Sequence, residues 1–307
     1  MNNEERIQRF LHRVAAEDLS PTYLKGLVAL AKDEDLKGAG LRDSNANPQD
    51  VTSSVLNQTG TGSAALHARE DLVLCGLPLV TLVLEAYDAQ LAFTTHTEDG
   101  ASLVAGESIG EITGPISALL MAERVLLNFL QFLSGVASET SKYANALGGA
   151  STKLLDTRKT TPGYRMLQKY AVACGGGWNH RLGLFDRVML KDNHLAADQA
   201  QAGQSLTDLV QRARDLNPDL LIEVEVDHLE QIPAVLAAGP DKLMLDNFHL
   251  SDLQAAVDII GNRACTEATG NITLTNLHEI AEIGLDFVST GALVHKSVWK
   301  DIGLDWK

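Results

Sequence analysis

Between Lys153 and Lys191 the sequence KLLDTRKTTPGYRMLQKYAVACGGGWNHRLGLFDRVMLK sets eight Lys/Arg residues against two acids, Asp156 and Asp186. The local charge is +6 in a chain whose total is −15. The basic residues are Lys153, Arg158, Lys159, Arg165, Lys169, Arg181, Arg187 and Lys191. Interleaved as they are with apolar residues and glycines, they read as an anion pocket rather than a solvated face. Guanidinium forks and ammonium point charges beside glycine-rich turns suit carboxylates and phosphates. His180, between three glycines and Arg181, joins the same set.

Positioning such a pocket takes strands that end where the polar residues begin. Lys153-Leu154-Leu155-Asp156 reads as a short strand delivering Thr157, Arg158 and Lys159, and Thr161-Pro162-Gly163 turns the chain. Arg187-Val188-Met189-Leu190 reads as a second strand, delivering Lys191, Asp192, Asn193 and His194. Four further apolar-rich segments, 221–226, 242–246, 264–268 and 287–290, alternate with helix-like stretches. The rhythm is six βα units, the pattern of a parallel α/β barrel two units short of the usual eight. Lys191, Glu225, Asp246 and the Thr269-Gly270-Asn271 turn all fall at C-terminal strand ends, the catalytic face of such barrels. The turns at Thr269-Gly270-Asn271 and Thr290-Gly291-Ala292 fit phosphate binding through backbone N–H groups. Taken singly, Glu225 and Asp246 are more often structural ion-pair partners, His180 a satisfied core histidine and Arg124 half of a surface pair with an adjacent acid. Glu223 and Glu225 share one face of their strand, so pattern does not select between them.

The segments TRKTTPGYR, GGGWNHRLGLFD and LKDNH resemble, in order and spacing, the signatures of the quinolinate phosphoribosyltransferase family. AERVLLNFLQFLSGVAS resembles the same family's helix, in which the Arg of the Glu-Arg pair, here Arg124, reaches a substrate carboxylate in the partner subunit. The resemblance implies a type II phosphoribosyltransferase: an incomplete α/β barrel with an N-terminal α+β open-sandwich domain. It implies phosphoribosyl transfer from phosphoribosyl pyrophosphate to quinolinate with decarboxylation, giving nicotinate mononucleotide, pyrophosphate and CO2 in NAD biosynthesis. It assigns Arg124, Arg158, His180, Arg181 and Lys191 to substrate, and Lys159, Glu225 and Asp246 to catalysis. Thr269, Gly270, Asn271 and Gly291 would hold phosphate, and Glu225 and Asp246 any Mg2+ that enters with the pyrophosphate. A homodimer with a shared site follows from the Arg124 match. The chain departs from the family at Gln49, where Gly is usual, and at Thr269-Gly270-Asn271, where Ser-Gly-Gly is usual. A paralogous phosphoribosyltransferase of the same fold and a non-catalytic binder of phosphorylated metabolites are the alternatives.

The 307 residues are ample for two domains. The expected division is an N-terminal α+β domain over 1–116, to which 293–307 returns, and a barrel over 117–292. In the first part, Ile7, Phe10, Leu11 and Val14 recur at helical spacing, and Ser20-Pro21 opens a helix to about Leu30. An apolar helix spans 77–87, and β-prone runs near 63–74, 91–96 and 108–113 predict a small antiparallel sheet. A long helix is predicted from Pro115 to Ala146. Cys75, Cys174 and Cys265 are odd in number, far apart and without a CxxC pair, which argues against a disulfide framework or a zinc site. Cys174 reads as a packing residue. The acidic balance disfavours nucleic acid and anionic membrane as partners. A charged N-terminus and the absence of an uninterrupted apolar run near 20 residues lead to the expectation of a cytoplasmic enzyme.

Overall fold

A computed structural model describes residues 3–43, 50–55, 60–191 and 206–307. Gln49 and the Asp192-Asn193-His194 segment lie outside the described residues. The chain divides into two compact units. One is 1–13, 140–165 and 177–296, and the other 14–139, 166–176 and 297–307. The division cuts the long helix after Glu139 rather than at the 116/117 boundary expected from sequence, and it places the first residues with the barrel.

After α1 (Asn3–Phe10) the chain builds most of the second unit. The elements are α2 (Pro21–Lys37), β1 (Thr61–Ala68), β2 (Leu72–Val73), α3 (Leu77–Tyr87), β3 (Ala92–Thr95), β4 (Ser102–Leu103), β5 (Ser108–Pro115) and α4 (Ile116–Ala146). In α2, Ser20 Oγ accepts the Tyr23 N–H, Pro21 sits at the first position, and Gly38 ends the helix in the left-handed region. The helix passes the expected end at Leu30 because the residues from Ala31 to Lys37 contain no breaker. The first helix is shorter than its apolar spacing predicts, ending at Phe10 before Val14. An antiparallel sheet runs β12-β1-β5-β3, where β12 (Ile302–Trp306) is the C-terminal strand, and β2 pairs with β4 separately.

Within this unit α4 is a core helix. Ser138 Oγ accepts the Val73 N–H at 2.8 Å, and Gln131 Nε2 donates to the Ile302 carbonyl at 2.9 Å. By length and composition it is also the one described helix able to cross a membrane, with a mean hydropathy of 1.5 in its most apolar window. Counting uninterrupted apolar runs does not single it out, because polar residues punctuate it; half of that window is buried in the protein. At Gly135 a Cβ would lie 2.4 Å from the Val298 carbonyl oxygen, a backbone atom. Gly135→Ala is therefore expected to cost about 1–3 kcal/mol of stability by overpacking, read as a lower urea midpoint.

The barrel unit carries β6 (Lys153–Leu155), β7 (Val188–Leu190), β8 (Ile222–Val226), β9 (Lys242–Asp246), β10 (Cys265–Thr269) and β11 (Phe287–Ser289). Between β6 and β7 runs α5 (Arg165–Cys174), whose residues from Met166 onward belong to the second unit. All six strands are parallel, in the order β6-β11-β10-β9-β8-β7, an open arrangement in which β6 and β7 are the ends. The outer edge of β6 is covered by the segment after the glycine run. Trp178 N–H donates to the Leu154 carbonyl at 2.8 Å, and Asp156 N–H to the Trp178 carbonyl at 3.0 Å. That pairing protects an exposed edge and delivers Asn179 and His180. Phe10 of α1, fully buried, packs with Leu155, Leu221, Cys265 and Phe287 and meets the Phe287 ring edge-on at 5.7 Å.

Candidate active site

Residues paired across a parallel sheet point to one side, and the period of two carries that side along each strand. Glu223 pairs with Lys242 and Met189, Glu225 with Met244, Met244 with Glu267, Asp246 with Thr269, and Leu155 with Ser289. One interior face thus carries Glu223 and Glu225 on β8, Lys242, Met244 and Asp246 on β9, and Glu267 and Thr269 on β10. Both glutamates of the EVEV run face inward, at different depths.

The deeper layer is a buried charge cluster. Lys242, with no exposed surface, lies 2.9 Å from Glu223 and also pairs with Glu267. Arg187 bonds Glu223 at 3.2 Å and the Phe10 carbonyl at 2.9 Å, and Ser289 Oγ donates to Glu267 at 2.5 Å. Burial would raise both glutamate pKa values, yet the charge of Lys242 and then the facing His180 ring, with Arg187 added at Glu223, outweigh it and hold both carboxyls below the ordinary range. Sequence pattern does not choose between Glu223 and Glu225 and gives no sign of Lys242 or Glu267, because partners 19 and more positions apart carry no local signal.

His180 joins this layer to the mouth. Its backbone N–H donates to Asp156 Oδ1 at 2.7 Å, and Asn179 Nδ2 donates to Asp156 Oδ2 at 3.0 Å, so one buried carboxylate fixes the whole turn. The His180 Nδ1 accepts the Arg181 N–H at 2.7 Å, which leaves the ring proton on Nε2. That atom stands 3.4 Å from Glu267 and 3.8 Å from Glu223. A sequence reading counts Asp156 only as one of two acids in the basic island and misses this role.

Above the cluster opens a pocket of about 610 Å3, lined by Arg158, Lys159, His180, Arg181, Lys191, Glu225, Asp246, Thr269, Gly270, Asn271 and a few neighbours. A contiguous pocket of about 230 Å3 shares Lys159 and Thr269 to Asn271 and adds Gly291, His295 and Lys296. Every site residue expected from sequence is therefore at this mouth except Arg124, which is exposed on α4 in the other unit. Among the described residues Arg124, Arg158, Lys159 and Arg181 have no ion-pair partner. The Arg158 Nε is buried and has no hydrogen-bond acceptor among the described residues. Burial and then the neighbouring charge of Arg158 lower the Arg181 pKa, so the two guanidiniums are held together against repulsion. Lys191 pairs with Glu225.

The two turns at the rim are built for close approach. Gly270 has φ +77°, and a Cβ there would lie 2.3 Å from Asn247 Oδ1. Asn271 itself adopts φ 51°, the left-handed region that Asn tolerates, and its Nδ2 donates to Asn247 Oδ1 at 2.9 Å. The side chain that replaces the family's usual glycine is thus tied down beside Asp246, whose Oδ2 accepts the Asn247 Nδ2 at 2.9 Å. At Gly291 the Lys159 Cδ passes 2.9 Å from where a Cβ would be, so the missing side chain lets the lysine lie across the turn.

Comparison with known proteins agrees across nearly the whole chain. Residues 50–134 match the sequence profile described as quinolinate phosphoribosyl transferase, N-terminal domain, and 136–305 that of the C-terminal domain. A probable nicotinate-nucleotide pyrophosphorylase [carboxylating] of Synechocystis is 39% identical over 79% of this chain and 82% of its own length. The nicotinate-nucleotide pyrophosphorylase [carboxylating] of Mycobacterium leprae is 40% identical over 83% and 90%. The solved nicotinate-nucleotide pyrophosphorylase from Francisella tularensis superposes with a TM-score of 0.87 at 34% identity, covering 97% of this chain and all of that one.

Proposed function

The chain belongs to the quinolinate phosphoribosyltransferase family, and from that premise we infer how the pocket carries out the family's reaction. The enzyme is a carboxylating nicotinate-nucleotide pyrophosphorylase of NAD biosynthesis. It transfers phosphoribosyl from phosphoribosyl pyrophosphate to quinolinate and releases pyrophosphate and CO2.

One observation carries the assignment of the pocket: three cations without carboxylate partners among the described residues, Arg158, Lys159 and Arg181, converge at one mouth beside two acids. Cations gathered in this way are stabilised by a multiply charged anion. Arg158 and Arg181 take the two carboxylates of quinolinate, with His180 fixing the Arg181 backbone. Lys159 and Lys191 take the negative charge where quinolinate and pyrophosphate meet. Thr269, Gly270, Asn271 and Gly291 present backbone N–H groups to phosphate. The ring nitrogen forms its bond to the anomeric carbon with its own lone pair while the bond to pyrophosphate breaks, so no base is required. Positive charge develops on the ribose, and Glu225 and Asp246 face it from their strand ends. Their oxygens, with the Asn247 and Asn271 amides beside them, also fit Mg2+, which would add neutralising charge to the pyrophosphate. Loss of the 2-carboxylate as CO2 leaves its bonding pair on C2 of the ring, where a proton from solvent completes nicotinate mononucleotide.

The site is completed by a second copy of the chain. Arg124 is exposed on α4 and has no ion-pair partner among the described residues, which supports its reaching the partner's pocket in a homodimer. Mixing two inactive variants, Arg124→Ala and Lys159→Ala, is expected to restore part of the activity, because one heterodimer site then has both cations. Absence of any restoration under conditions of subunit exchange would show an unshared site. The three free cysteines fit a reducing compartment, and the cytoplasm is the proposed location.

The direct test follows nicotinate mononucleotide and CO2 together, from quinolinate with phosphoribosyl pyrophosphate and Mg2+, with nicotinate as the parallel substrate. Both products from quinolinate alone are expected. Turnover of nicotinate would keep the transfer and overturn the two-carboxylate pocket.

A further inference from the structure

Cys75, Asp99 and Cys174 are far apart in sequence, yet in the second unit their two sulfurs and a carboxylate oxygen all lie within 4.8 Å of one another. Cys75 is fully buried, at the junction of β2 and α3, while Asp99 and Cys174 are half-buried, so one side of the cluster is open to an entering ion. On a tetrahedral Zn2+ two such donor atoms stand roughly 3.6–3.8 Å apart, given Zn–S near 2.3 Å and Zn–O near 2.1 Å. The three donors are within about 1 Å of that spacing.

Their supports are fixed. The Cys75 N–H donates to Ser134 Oγ at 3.0 Å, and that hydroxyl donates back to the Cys75 carbonyl at 3.3 Å. Asp99 accepts the Gly76 N–H at 3.0 Å and the Leu77 N–H at 3.1 Å. The Tyr170 hydroxyl donates to Asp99 Oδ2 at 2.7 Å. Tyr170 and Cys174 are one turn apart on α5, so a single helical turn supplies both a thiol and the group that orients the carboxylate. Metal-binding carboxylates are characteristically held by such hydrogen bonds.

We propose that Cys75, Asp99 and Cys174 form a binding site for a thiophilic divalent cation of the Zn2+ class, with the fourth position open to water. Two sulfurs and one oxygen select against Mg2+ and Ca2+, which require oxygen sets. Binding of Zn2+ replaces the two thiol protons, which are released to solvent, while Asp99 binds as the carboxylate. Burial pushes the Cys75 thiol up, and Cys174 and Asp99 beside it push it further; burial also raises the Asp99 carboxyl, against the lowering effect of its hydrogen bonds from Gly76, Tyr170 and Leu77. A divalent charge at the centre reverses that balance. Capping of α3 accounts for Asp99 beside Gly76 and Leu77, but not for two thiols against its oxygens. The expectation from sequence, that no zinc site exists, rests on local spacing and does not reach a site assembled from three separate segments.

The test uses full-length protein stripped with a chelator and titrated with Co2+ under reducing conditions. A thiolate-to-cobalt charge-transfer band saturating at one equivalent, lost on adding Zn2+, is expected. Cys174→Ala, at the half-exposed position that tolerates truncation, should lose the band, and Cys265→Ala should keep it. Tyr170→Phe should bind about 10- to 100-fold more weakly. Zn2+ should raise the unfolding temperature of the parent and leave that of Cys174→Ala unchanged. No band in the folded parent, a band retained in Cys174→Ala, or a Cys75–Cys174 disulfide recovered in place of metal binding would each overturn the proposal.

Discussion

Replacing Lys242 by methionine destabilises the protein by about 3–5 kcal/mol at neutral pH, the cost of leaving buried charge uncompensated. The ammonium is fully buried between Glu223 and Glu267, and Arg187 and His180 alone then face two carboxylates. Urea unfolding measures the loss directly. The pH dependence has a definite sign. In the parent both carboxyls are held below their ordinary range, so their stabilisation is complete above roughly pH 4.3 and fades as pH falls through the folded-state values. In Lys242→Met the leading opposing charge is gone and burial drives the carboxyls upward, so acid now relieves the strain. The gap between variant and parent should therefore shrink as pH is lowered from 7 toward 4. The double variant Lys242→Met/Glu267→Gln should recover part of the loss at pH 7. A Lys242→Met protein as stable as the parent at pH 7 would remove the charge cluster from the account of the fold.

Arg158→Ala lowers kcat/KM for quinolinate by roughly 30- to 5,000-fold, the 2–5 kcal/mol expected when one member of a desolvated charge pair is truncated. The Nε of Arg158 is buried without an acceptor among the described residues, and the neighbouring Arg181 is held in its charged form against burial and repulsion. A bound carboxylate relieves both. Arg158→Lys should recover only a fraction, since an ammonium keeps the charge and loses the two-pronged geometry. Steady-state kinetics with quinolinate varied decides the matter: the KM should rise steeply while the urea midpoint stays near that of the parent. An unchanged KM for quinolinate would falsify the assignment of Arg158 to a substrate carboxylate.

Both predictions start from charges that the sequence displays unequally. Arg158 is visible in a basic island within an acidic chain, at the end of an apolar run and before a Pro-Gly turn. Lys242 reads as nothing more than the first residue of a strand. Its two carboxylate partners belong to neighbouring strands, and only the sheet register, Glu223 opposite Lys242 and Glu267 opposite Met244, brings them to it.

The sequence by itself determined the six parallel strands, the long helix, expected from Pro115 and found over Ile116–Ala146, and the address of the mouth residues at C-terminal strand ends. These follow from local information: apolar runs set strand lengths, turn residues end them, and the polar residue after each run lands at the rim. Tertiary structure alone decided three things. It decided the open order of the sheet, with the Trp178 segment covering β6. It decided the buried cluster of Glu223, Lys242, Glu267 and His180. It also brought Cys75, Asp99 and Cys174 together. Each depends on contacts between segments distant in the chain, whose partners are chosen by packing and register, so no window of sequence contains both sides of the interaction.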